Sequence, residues 1–369
     1  MNYSVRKPFE RDRQVTNIPS ESIGILEEQD WQKWDQFVLM QPRGSIYHTT
    51  AWMRVVQRTF RHEPLYIYLH ENGKIRACLP LFRIRSWLTG ERLSCLPAAA
   101  VCDPLADERE TGKMMEYAQG LTGSENWIPW EIRTDERFSH EMTFRSKQVR
   151  DYVTHLLDLE RPLEKIWDNF HGGQVRRSIR KAIRSDISTV RGFNGREISE
   201  FYKLYMGMRK RNGLLPMPLS FFQNLWEEFN PRGEIEISLA MSNSRAVSGV
   251  LLLKYRDMVK YEYGATDPAA LKVRPNQLLL WQSIEKAHSD GYRWFDFGRT
   301  RLDNKGLLSF KDRWGTRRIP LVYYQIPDGT GVESLRKKRI VPLMMHTLMH
   351  NSPDSMCHWL GSLLYRHTV

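Results

Sequence analysis

The chain has 369 residues, of which 41% are hydrophobic and 27% charged, an ordinary balance for a globular protein of two domains. Its 55 lysines and arginines exceed its 43 acidic residues and give a net charge of +12, which favours an anionic partner: a nucleic acid, a phosphorylated or pyrophosphate ligand, or a membrane surface. No run approaches the roughly 18 to 20 apolar residues of a membrane-spanning helix. The start lacks the apolar segment of a secretory signal, and the four scattered cysteines without a C-x-x-C pair indicate reduced thiols. We therefore expect a cytoplasmic protein.

The first part of the chain predicts a flexible polar tail followed by helices and short strands. Residues 1–20 are polar, and the pattern from Trp31 to Phe60 is helical. Two alternating apolar runs then flank the stretch Glu71 to Lys74, whose Asn-Gly pair tolerates the positive φ angles of a tight turn. This pattern predicts a β-hairpin, and further short strands continue to about Leu159.

The second part predicts helices, an antiparallel meander, and then alternating helices and strands. Helical patterns cover about 163–185, 196–211 and 219–229, and alternating strands start at Ile235. A helix over 276–289, the strand "YRWFDF", a short helix in "GLLSFKDRW" and the strand "IPLVYYQI" follow. This order predicts an α/β (α+β) fold with a mixed, largely antiparallel sheet, not a doubly wound Rossmann fold.

A candidate anion site precedes the helix predicted at 276–289. Lys272 and Arg274 lie just before it, and Asn276 is a candidate N-cap. Free backbone N–H groups at a helix N-terminus attract anions, and two cations would strengthen the attraction. An exposed basic loop with no ligand is an equally good interpretation.

The stretch "GGQVRRSIRKAIR" predicts an amphipathic helix with an intensely basic face. At 100° per residue its cations fall within an arc of about 140°; they are Arg176, Arg177, Arg180, Lys181 and Arg184. Such a face is usually only solvated, whereas a functional face would contact a phosphate-rich partner such as an RNA backbone or a pyrophosphate-linked lipid. No aromatic residues interrupt it to stack on bases.

Asp296-Phe297-Gly298 is a tripeptide that protein kinases use to hold magnesium, but the other kinase motifs are missing from the chain. Asp296 is predicted near a strand end, with Arg299 following and Lys311 one short helix away. A carboxylate between cations stays ionised, and it either orients them or accepts a proton. A structural Asp–Arg pair is the simpler alternative.

Metal and covalent chemistry have little support in the sequence. His346 and His350 have i, i+4 spacing without an H-E-x-x-H motif, so we expect no metal site. No G-x-S-x-G motif or Cys/His pairing indicates a covalent nucleophile.

The stretch from "YEYGATDP" to "FKDRWG" resembles the FemAB-like branch of the GNAT acyltransferase superfamily, whose members accompany bacterial cell-wall or exopolysaccharide synthesis. The resemblance rests on Pro275-Asn276, on the run from Phe295 to Thr300, on Phe310-Lys311 and on Trp314-Gly315. It covers about residues 174–325, and the first half resembles the family only in layout. It implies two tandem GNAT-like domains, at 21–160 and 161–328, with the active cleft mainly in the second and a basic, amphipathic helical tail at 329–369.

The resemblance implies acyl or aminoacyl transfer to an amine on a cell-envelope saccharide, peptidoglycan or exopolysaccharide precursor. The donor would be acyl-CoA or aminoacyl-tRNA, with no tightly bound cofactor and no DNA partner. The strand "YEYGAT" would offer backbone N–H groups to the oxyanion, Tyr263 would donate a proton to the leaving group, and Asp267 or Asp296 would accept one. Arg299 and Lys311 complete the predicted catalytic set. Lys272, Arg274, Asn276, Arg177 and Arg180 form the predicted set that binds donor or phosphate.

One departure from the family pattern and the composition of the tail leave alternatives open. "LKVRPN" lacks the glycines that let a GNAT backbone wrap the CoA pyrophosphate. Without them the chain could instead be a non-catalytic GNAT-like scaffold of an envelope-synthesis system. In the tail, a basic run beside short apolar segments that contain Trp predicts peripheral contact with the inner face of the membrane, or packing on the core.

Overall fold

The computed structural model describes residues 21–95, 97–124, 127–136, 146–192, 195–326 and 352–368. The helices are α1 (Trp31–Met40), α2 (Thr50–Phe60), α3 (Glu108–Gly120), α4 (Leu163–Asn169), α5 (Arg177–Ile183), α6 (Arg196–Arg211), α7 (Leu219–Phe229), α8 (Pro275–Ser289), α9 (Lys305–Asp312) and α10 (Asp354–Thr368). The strands are β1 (Glu21–Ile25), β2 (Glu63–Glu71), β3 (Lys74–Ser86), β4 (Gly90–Ser94), β5 (Trp130–Asp135), β6 (Lys147–Asp158), β7 (Ser188–Arg191), β8 (Ile235–Ser242), β9 (Arg245–Tyr255), β10 (Met258–Thr266), β11 (Trp294–Asp296), β12 (Thr300–Arg301) and β13 (Arg317–Ile326).

The strands of the described residues join in one mixed sheet, which confirms the predicted fold class. Its order is β1-β2-β3-β4-β5-β13-β6-β11-β10-β9-β8-β7, with β12 added to β6. Among these pairs β4–β5 and β10–β11 are parallel and the others antiparallel. Each parallel pair is connected by a helix, α3 in the first half and α8 in the second, as parallel pairing requires.

The two halves repeat one layout and share strands at their boundary. In each half an antiparallel meander is followed by one parallel pair, β4–β5 in the first half and β10–β11 in the second. The strand on the far side of each parallel pair is antiparallel to it. In the first half that strand is β13, from late in the chain; in the second half it is β6, from before residue 160. The division at 160/161 remains a prediction, and the sheet places β6 beside β11 of the predicted second domain.

The β-hairpin predicted at Glu71 to Lys74 is present: β2 pairs with β3, and Asn72 and Gly73 in the turn both have positive φ. The helical pattern at 163–185 divides into α4 and α5 because Phe170 and His171 are extended and a single π-helical turn, Gly172–Arg176, precedes α5. The pattern from Trp31 to Phe60 likewise divides into α1 and α2.

The largest core lies between the two halves. Side chains of α1 and α2 pack there with those of α6 and α7 and one face of β8 to β10, including Trp34, Trp52, Phe221 and Phe229. A separate aromatic cluster holds α4, α8 and α9 against β10 and β11, with Phe297 and Trp314 buried at its centre.

Candidate functional site

A cleft of about 870 Å³, partly open to solvent, lies where the first half meets β6, β10 and β11. We call it the central cleft. The loop at 42–47 and the segment 100–103 form one wall, and Thr154, Lys260 and Asp296 line the other. Asp103 and Asp135 add carboxylates. The cleft thus combines an apolar lining with several acidic groups, a composition suited to a substrate that carries an amine.

Asp296 is buried at the end of β11 and is held by three partners. Its Oδ2 lies 3.1 Å from Lys260 Nζ, and its Oδ1 accepts hydrogen bonds from Thr154 Oγ1 at 2.5 Å and Gly298 N at 2.7 Å. Burial raises the pKa of Asp296, but Lys260 and the two donors outweigh it and the net pKa is lowered. These three contacts take most of the acceptor positions of the carboxylate, which favours an orienting role over that of general base.

Lys311 is buried on α9 although lysine is normally exposed. Its Nζ donates to Gly298 O at 2.8 Å and to Arg299 O at 3.3 Å. Burial lowers the pKa of Lys311 to about 8. At pH 7 the side chain is still mostly a cation, and it is held against the backbone that follows Asp296.

The strand β10 has a bulge opposite this backbone. Tyr261 pairs with Leu252 and Tyr263 with Leu251, so Glu262 is the extra residue. A bulge leaves ladder hydrogen-bonding groups of the strand unpaired, as an oxyanion site requires. Gly298, with φ of +76°, permits the close approach here, because a Cβ at that position would lie 3.2 Å from Tyr261 O.

Glu262 joins the two halves of the protein through Tyr47, whose hydroxyl donates to Glu262 Oε2 at 2.5 Å. Burial raises the pKa of Glu262, opposed by Lys260 and by this hydrogen bond, and the net pKa lies above its ordinary value. The Lys260 ammonium lies 5.0 Å from the centre of the Tyr47 ring. Tyr47 lines the central cleft, so it connects the cleft to a carboxylate with raised proton affinity.

Arg299 is exposed beside this cluster. Its guanidinium donates to the Tyr323 hydroxyl at 3.1 Å and lies 4.8 Å from the centre of the Tyr152 ring. Tyr323 in turn donates to Ala100 O at 2.9 Å, on the wall of the central cleft. Within the described residues Asp296 pairs with Lys260, whereas Arg299 bonds Tyr323 and Lys311 bonds the backbone after Asp296. The catalytic roles predicted for Arg299 and Lys311 stay predictions.

A second cavity of about 820 Å³, the α5–α8 groove, lies between the starts of α5 and α8 and the end of α9. Gln174 and Ser178, near the start of α5, form one side, and Arg274 with Gln277 at the start of α8 form another. Phe310 and Arg313, close to Lys311 in sequence, also line it. Lys311 itself lines neither cavity, but its Nζ donates to Gly298 O, two residues after Asp296 of the central cleft.

The N-terminus of α8 differs from that of its counterpart α3 in its charges. Asp107 caps α3 in a capping box with Glu110, so carboxylates already occupy that end. At α8 the first turn has no acidic residue, and the N-cap is Arg274 in the left-handed conformation, with φ of +63°. Of these two helices, α8 has the N-terminus better suited to an external anion.

Asn276 is not the N-cap that the sequence predicted, because Pro275 occupies the first helical position and shifts the cap to Arg274. Asn276 hydrogen bonds with Tyr261 instead. Lys272 is exposed in the 3₁₀ turn Pro268–Val273 before α8 and does not line the α5–α8 groove. Of the three predicted residues, Arg274 is the one at the groove.

The basic helix is present as the π-helical turn together with α5. Val175, Ile179 and Ala182 are buried, while Arg177 and Arg180 are exposed. The Arg180 guanidinium lies 5.6 Å from the centre of the Trp167 ring, and Arg176 pairs with Asp168 at 3.2 Å. The start of this helix lines the α5–α8 groove, so its basic face begins beside that groove.

Tyr263 and Asp267 have other roles than those predicted. Tyr263 packs edge-to-face on the rings of Tyr205, Phe221 and Phe222 and does not line the central cleft, so its contacts give no support to proton donation. Asp267 caps the 3₁₀ turn through Ala269 N and pairs with Arg245. It lies about 20 Å along β10 from the Lys260 position that faces Asp296, too far to act there.

Sequence reasoning missed the residues that complete the central cleft. Lys260, Glu262, Tyr47 and Thr154 come from three separate elements, and no local motif connects them. One usable signal was present: Lys260 and Glu262 are charged residues within the apolar strand pattern of β10. Among the described residues no group of histidine, cysteine and carboxylate side chains has a metal-binding arrangement. His346 and His350 lie outside the described residues.

Comparisons with known proteins give the family of the second half and relatives of the whole chain. Residues 171–311 match the family model described as an acetyltransferase (GNAT) domain. The UDP-N-acetylmuramoylpentapeptide-lysine N(6)-alanyltransferase of Weissella viridescens is 21% identical over 262 residues, which are 66% of this chain and 76% of the relative.

Solved structures share the fold at low sequence identity. The crystal structure of FemX matches with a TM-score of 0.64 at 15% identity, covering 82% of this chain and 96% of that one. The C-terminal domain of a putative lysylphosphatidylglycerol synthetase from Agrobacterium fabrum matches with a TM-score of 0.56 at 13% identity, covering 86% and 96%. A tandem GNAT protein from the clavulanic acid pathway matches with a TM-score of 0.52 at 11% identity, covering 84% and 99%. Residues 171–311 therefore form a GNAT acetyltransferase domain, and the chain as a whole is similar in sequence to the alanyltransferase of Weissella viridescens and in fold to FemX.

Proposed function

We propose that this transferase moves an aminoacyl group from aminoacyl-tRNA to an amine on a peptidoglycan precursor, in the cytoplasm at the inner face of the membrane. One observation carries the proposal. The Lys311 ammonium is buried against the backbone that follows Asp296 of the central cleft, and its neighbours Phe310 and Arg313 line the groove that begins at the N-terminus of α8. This arrangement suits a donor ester on one side and an acceptor amine on the other.

The donor side favours tRNA over acyl-CoA. Pro275 at the first helical position of α8 has no N–H, and the preceding segment has no glycine to wrap a pyrophosphate closely. Exposed cations instead continue along α5 from the groove, with Arg177 and Arg180 among them. Charges spread over a surface suit a phosphate backbone better than a single pyrophosphate.

The acceptor side favours a primary amine on a peptide-bearing precursor. Asp103, which pairs with Arg43, and Asp135 line the central cleft and give it carboxylate groups for an acceptor ammonium to contact. The name of the relative from Weissella viridescens describes transfer to the N(6) amine of a lysine in such a precursor. We infer the same acceptor class here.

The chemistry would run as direct aminolysis of the donor ester. The acceptor ammonium first loses one proton to solvent. The neutral amine nitrogen then attacks the carbonyl carbon, an N–C bond forms, and the carbonyl oxygen becomes an oxyanion that the Lys311 ammonium and the β10 bulge would stabilise. The amine proton passes through the Tyr47 hydroxyl to Glu262. The C–O bond to the tRNA ribose then breaks, and the ribose oxygen takes the proton from Glu262. Asp296 holds Lys260 and the Gly298 amide in place throughout.

The test is a transfer assay with purified protein and labelled donors. The protein is incubated with UDP-N-acetylmuramoyl-pentapeptide and either a mixture of labelled aminoacyl-tRNAs or labelled acetyl-CoA. We expect label in the peptide from aminoacyl-tRNA, loss of that transfer in Lys311→Met, and retention in Lys305→Met, an exposed lysine of the same helix. Transfer from acetyl-CoA alone would overturn the donor, and no transfer from either would favour the scaffold alternative.

A further inference from the structure

A surface remote from both cavities combines exposed aromatic side chains with cations. At the β3–β4 hairpin Trp87 is 78% exposed and Leu88 46% exposed. On α10 Trp359 is 60% exposed and Met356 37% exposed. Large side chains of this kind are rarely left exposed together on a protein without a partner.

The hairpin tip and α10 form one continuous surface, which we call the outer platform. Trp87 Nε1 lies 3.0 Å from His367 Nε2, and the Thr89 hydroxyl donates to His367 O at 2.9 Å. Trp359 lies eight residues before His367, about 12 Å along the helix axis. These contacts fix the hairpin against the end of the helix, so the exposed aromatic groups share one side of the protein.

The outward face of α10 is apolar with a cation at one end. At 100° per residue Met356, Trp359, Leu363 and Arg366 fall within an arc of about 80°. The opposite face is used for packing: Tyr365 donates to Leu215 O at 3.0 Å, and Gly361 lies against Pro216. The helix is thus anchored on one side and presents an amphipathic face on the other.

A basic groove of about 410 Å³ adjoins the outer platform. Four arginines and one glutamate line it, together with His62 and His367. The arginines are Arg61, Arg83, Arg85 and Arg366, and the glutamate is Glu63. Arg85 pairs with Glu63 at 3.1 Å, and Arg83 and Arg85 both pair with Glu91. The four arginines against these two glutamates leave an excess of two positive charges. This excess complements a surface of anionic headgroups.

We propose that the outer platform docks on an anionic phospholipid bilayer. Tryptophan prefers the interface between headgroups and acyl chains, leucine and methionine insert beside it, and arginines bind the phosphates. Among the described residues no helix is both long enough and apolar enough to span a bilayer, so the contact would be interfacial. The proposal specifies the membrane contact of the proposed function, but it predicts lipid binding whether or not the donor is tRNA.

The experiment is co-sedimentation of the full chain with vesicles of phosphatidylglycerol and phosphatidylcholine, compared with vesicles of phosphatidylcholine alone. We expect binding to the mixed vesicles that weakens at high salt. Trp359→Ser and Arg366→Glu should each lower the bound fraction three- to tenfold, while Met40→Ser, which alters a 74% exposed side chain of α1, leaves it unchanged. Melting temperatures check that each variant is folded.

Two results would overturn this inference. One is equal vesicle binding by the platform variants and the Met40→Ser control. The other is a wild-type protein that ignores vesicles but dimerises, with Trp359→Ser monomeric, which would assign the outer platform to self-association. Transfer to the soluble UDP-linked acceptor should persist in Trp359→Ser, so failure of the docking proposal and failure of the proposed function are distinguishable.

Discussion

Lys260 and Asp296 lie opposite each other on the parallel strands β10 and β11, with Lys260 Nζ 3.1 Å from Asp296 Oδ2 and both side chains at least 90% buried. They are in register where the two strands still pair. Beyond this point β10 bulges and the chain of β11 turns at Gly298. The ion pair therefore lies where β10 and β11 separate, and both residues line the central cleft in which we place the reaction.

Breaking this pair should cost much of the stability of the protein. Asp296→Asn leaves a buried ammonium without its counter-charge, and we expect a loss of about 3 to 5 kcal/mol in the free energy of unfolding. Urea denaturation measures it. The double variant Lys260→Gln/Asp296→Asn should lose less than the sum of the two single variants.

A matched control is the exposed pair of Arg293 and Glu160, whose atoms are 2.9 Å apart. Glu160→Gln should change stability by no more than about 0.5 kcal/mol. Equal losses at the buried and the exposed pair would contradict a structural role for the Lys260–Asp296 contact.

Lys311 should act as a cation, and this predicts a particular pH dependence. Its pKa is lowered by burial to about 8, so the ammonium is lost as pH rises through about 8 and not near 10.5. We expect kcat to fall over that interval, and Lys311→Met to lower kcat by about 10²- to 10³-fold. A rate that rises through pH 8 would instead make the neutral amine the active form.

The family motifs in the sequence predicted the fold class and the cluster around Asp296, because these residues are close along the chain: β11, Gly298 and α9 follow one another within 20 residues. The partners Lys260, Tyr47 and Thr154 could not be predicted. Their positions depend on strand register and on packing of the first half against the second. The N-cap is Arg274 and not Asn276 because Pro275 prefers the first helical position, a preference that the prediction of Asn276 did not take into account.

Glu262 and Tyr47 should behave as one unit in proton transfer. Glu262→Gln removes the acceptor and Tyr47→Phe removes the relay, so each should lower kcat by about 10²-fold and the double variant little further. The acidic limb of the pH–rate profile, which the raised pKa of Glu262 places above its ordinary range, should disappear in Glu262→Gln.

Tyr66→Phe is the control for this unit. Tyr66 is also buried, and its hydroxyl has no hydrogen-bond partner within the described part of the chain. Removal of the Tyr66 hydroxyl should leave kcat unchanged. Full additivity of Glu262→Gln and Tyr47→Phe would contradict a shared proton path.

Two buried histidines should make the protein sensitive to acid. Burial lowers the pKa of His48 and of His155 to about 4, against 6.5 in the unfolded chain. Between pH 6.5 and 4 the unfolded state therefore binds more protons, so stability falls as pH falls, with uptake of up to two protons on unfolding. Urea titrations at several pH values measure this slope.

His155→Phe should separate the two contributions. Within the described residues neither ring nitrogen of His155 has a hydrogen-bond partner, whereas His48 Nε2 donates to Asp103 O at 2.9 Å. His155→Phe should reduce the number of protons taken up on unfolding between pH 6.5 and 4 by about one, without loss of stability at pH 7. An unchanged slope would show that His155 is protonated in the folded protein.

The basic face of α5 should determine how tightly the donor binds. Arg177 and Arg180 lie outside the lining of both cavities, so Arg177→Glu and Arg180→Glu should leave kcat nearly unchanged. Each should raise KM for aminoacyl-tRNA several-fold. This KM should also depend less on salt concentration, because fewer counterions are released on binding. KM for the acceptor should not change. Lys203→Glu, on the exposed side of α6, tests whether net charge alone explains the effect and should leave KM unaltered. If all three variants raised KM equally, the donor would be attracted by the overall charge of the protein and the α5 face would have no specific role.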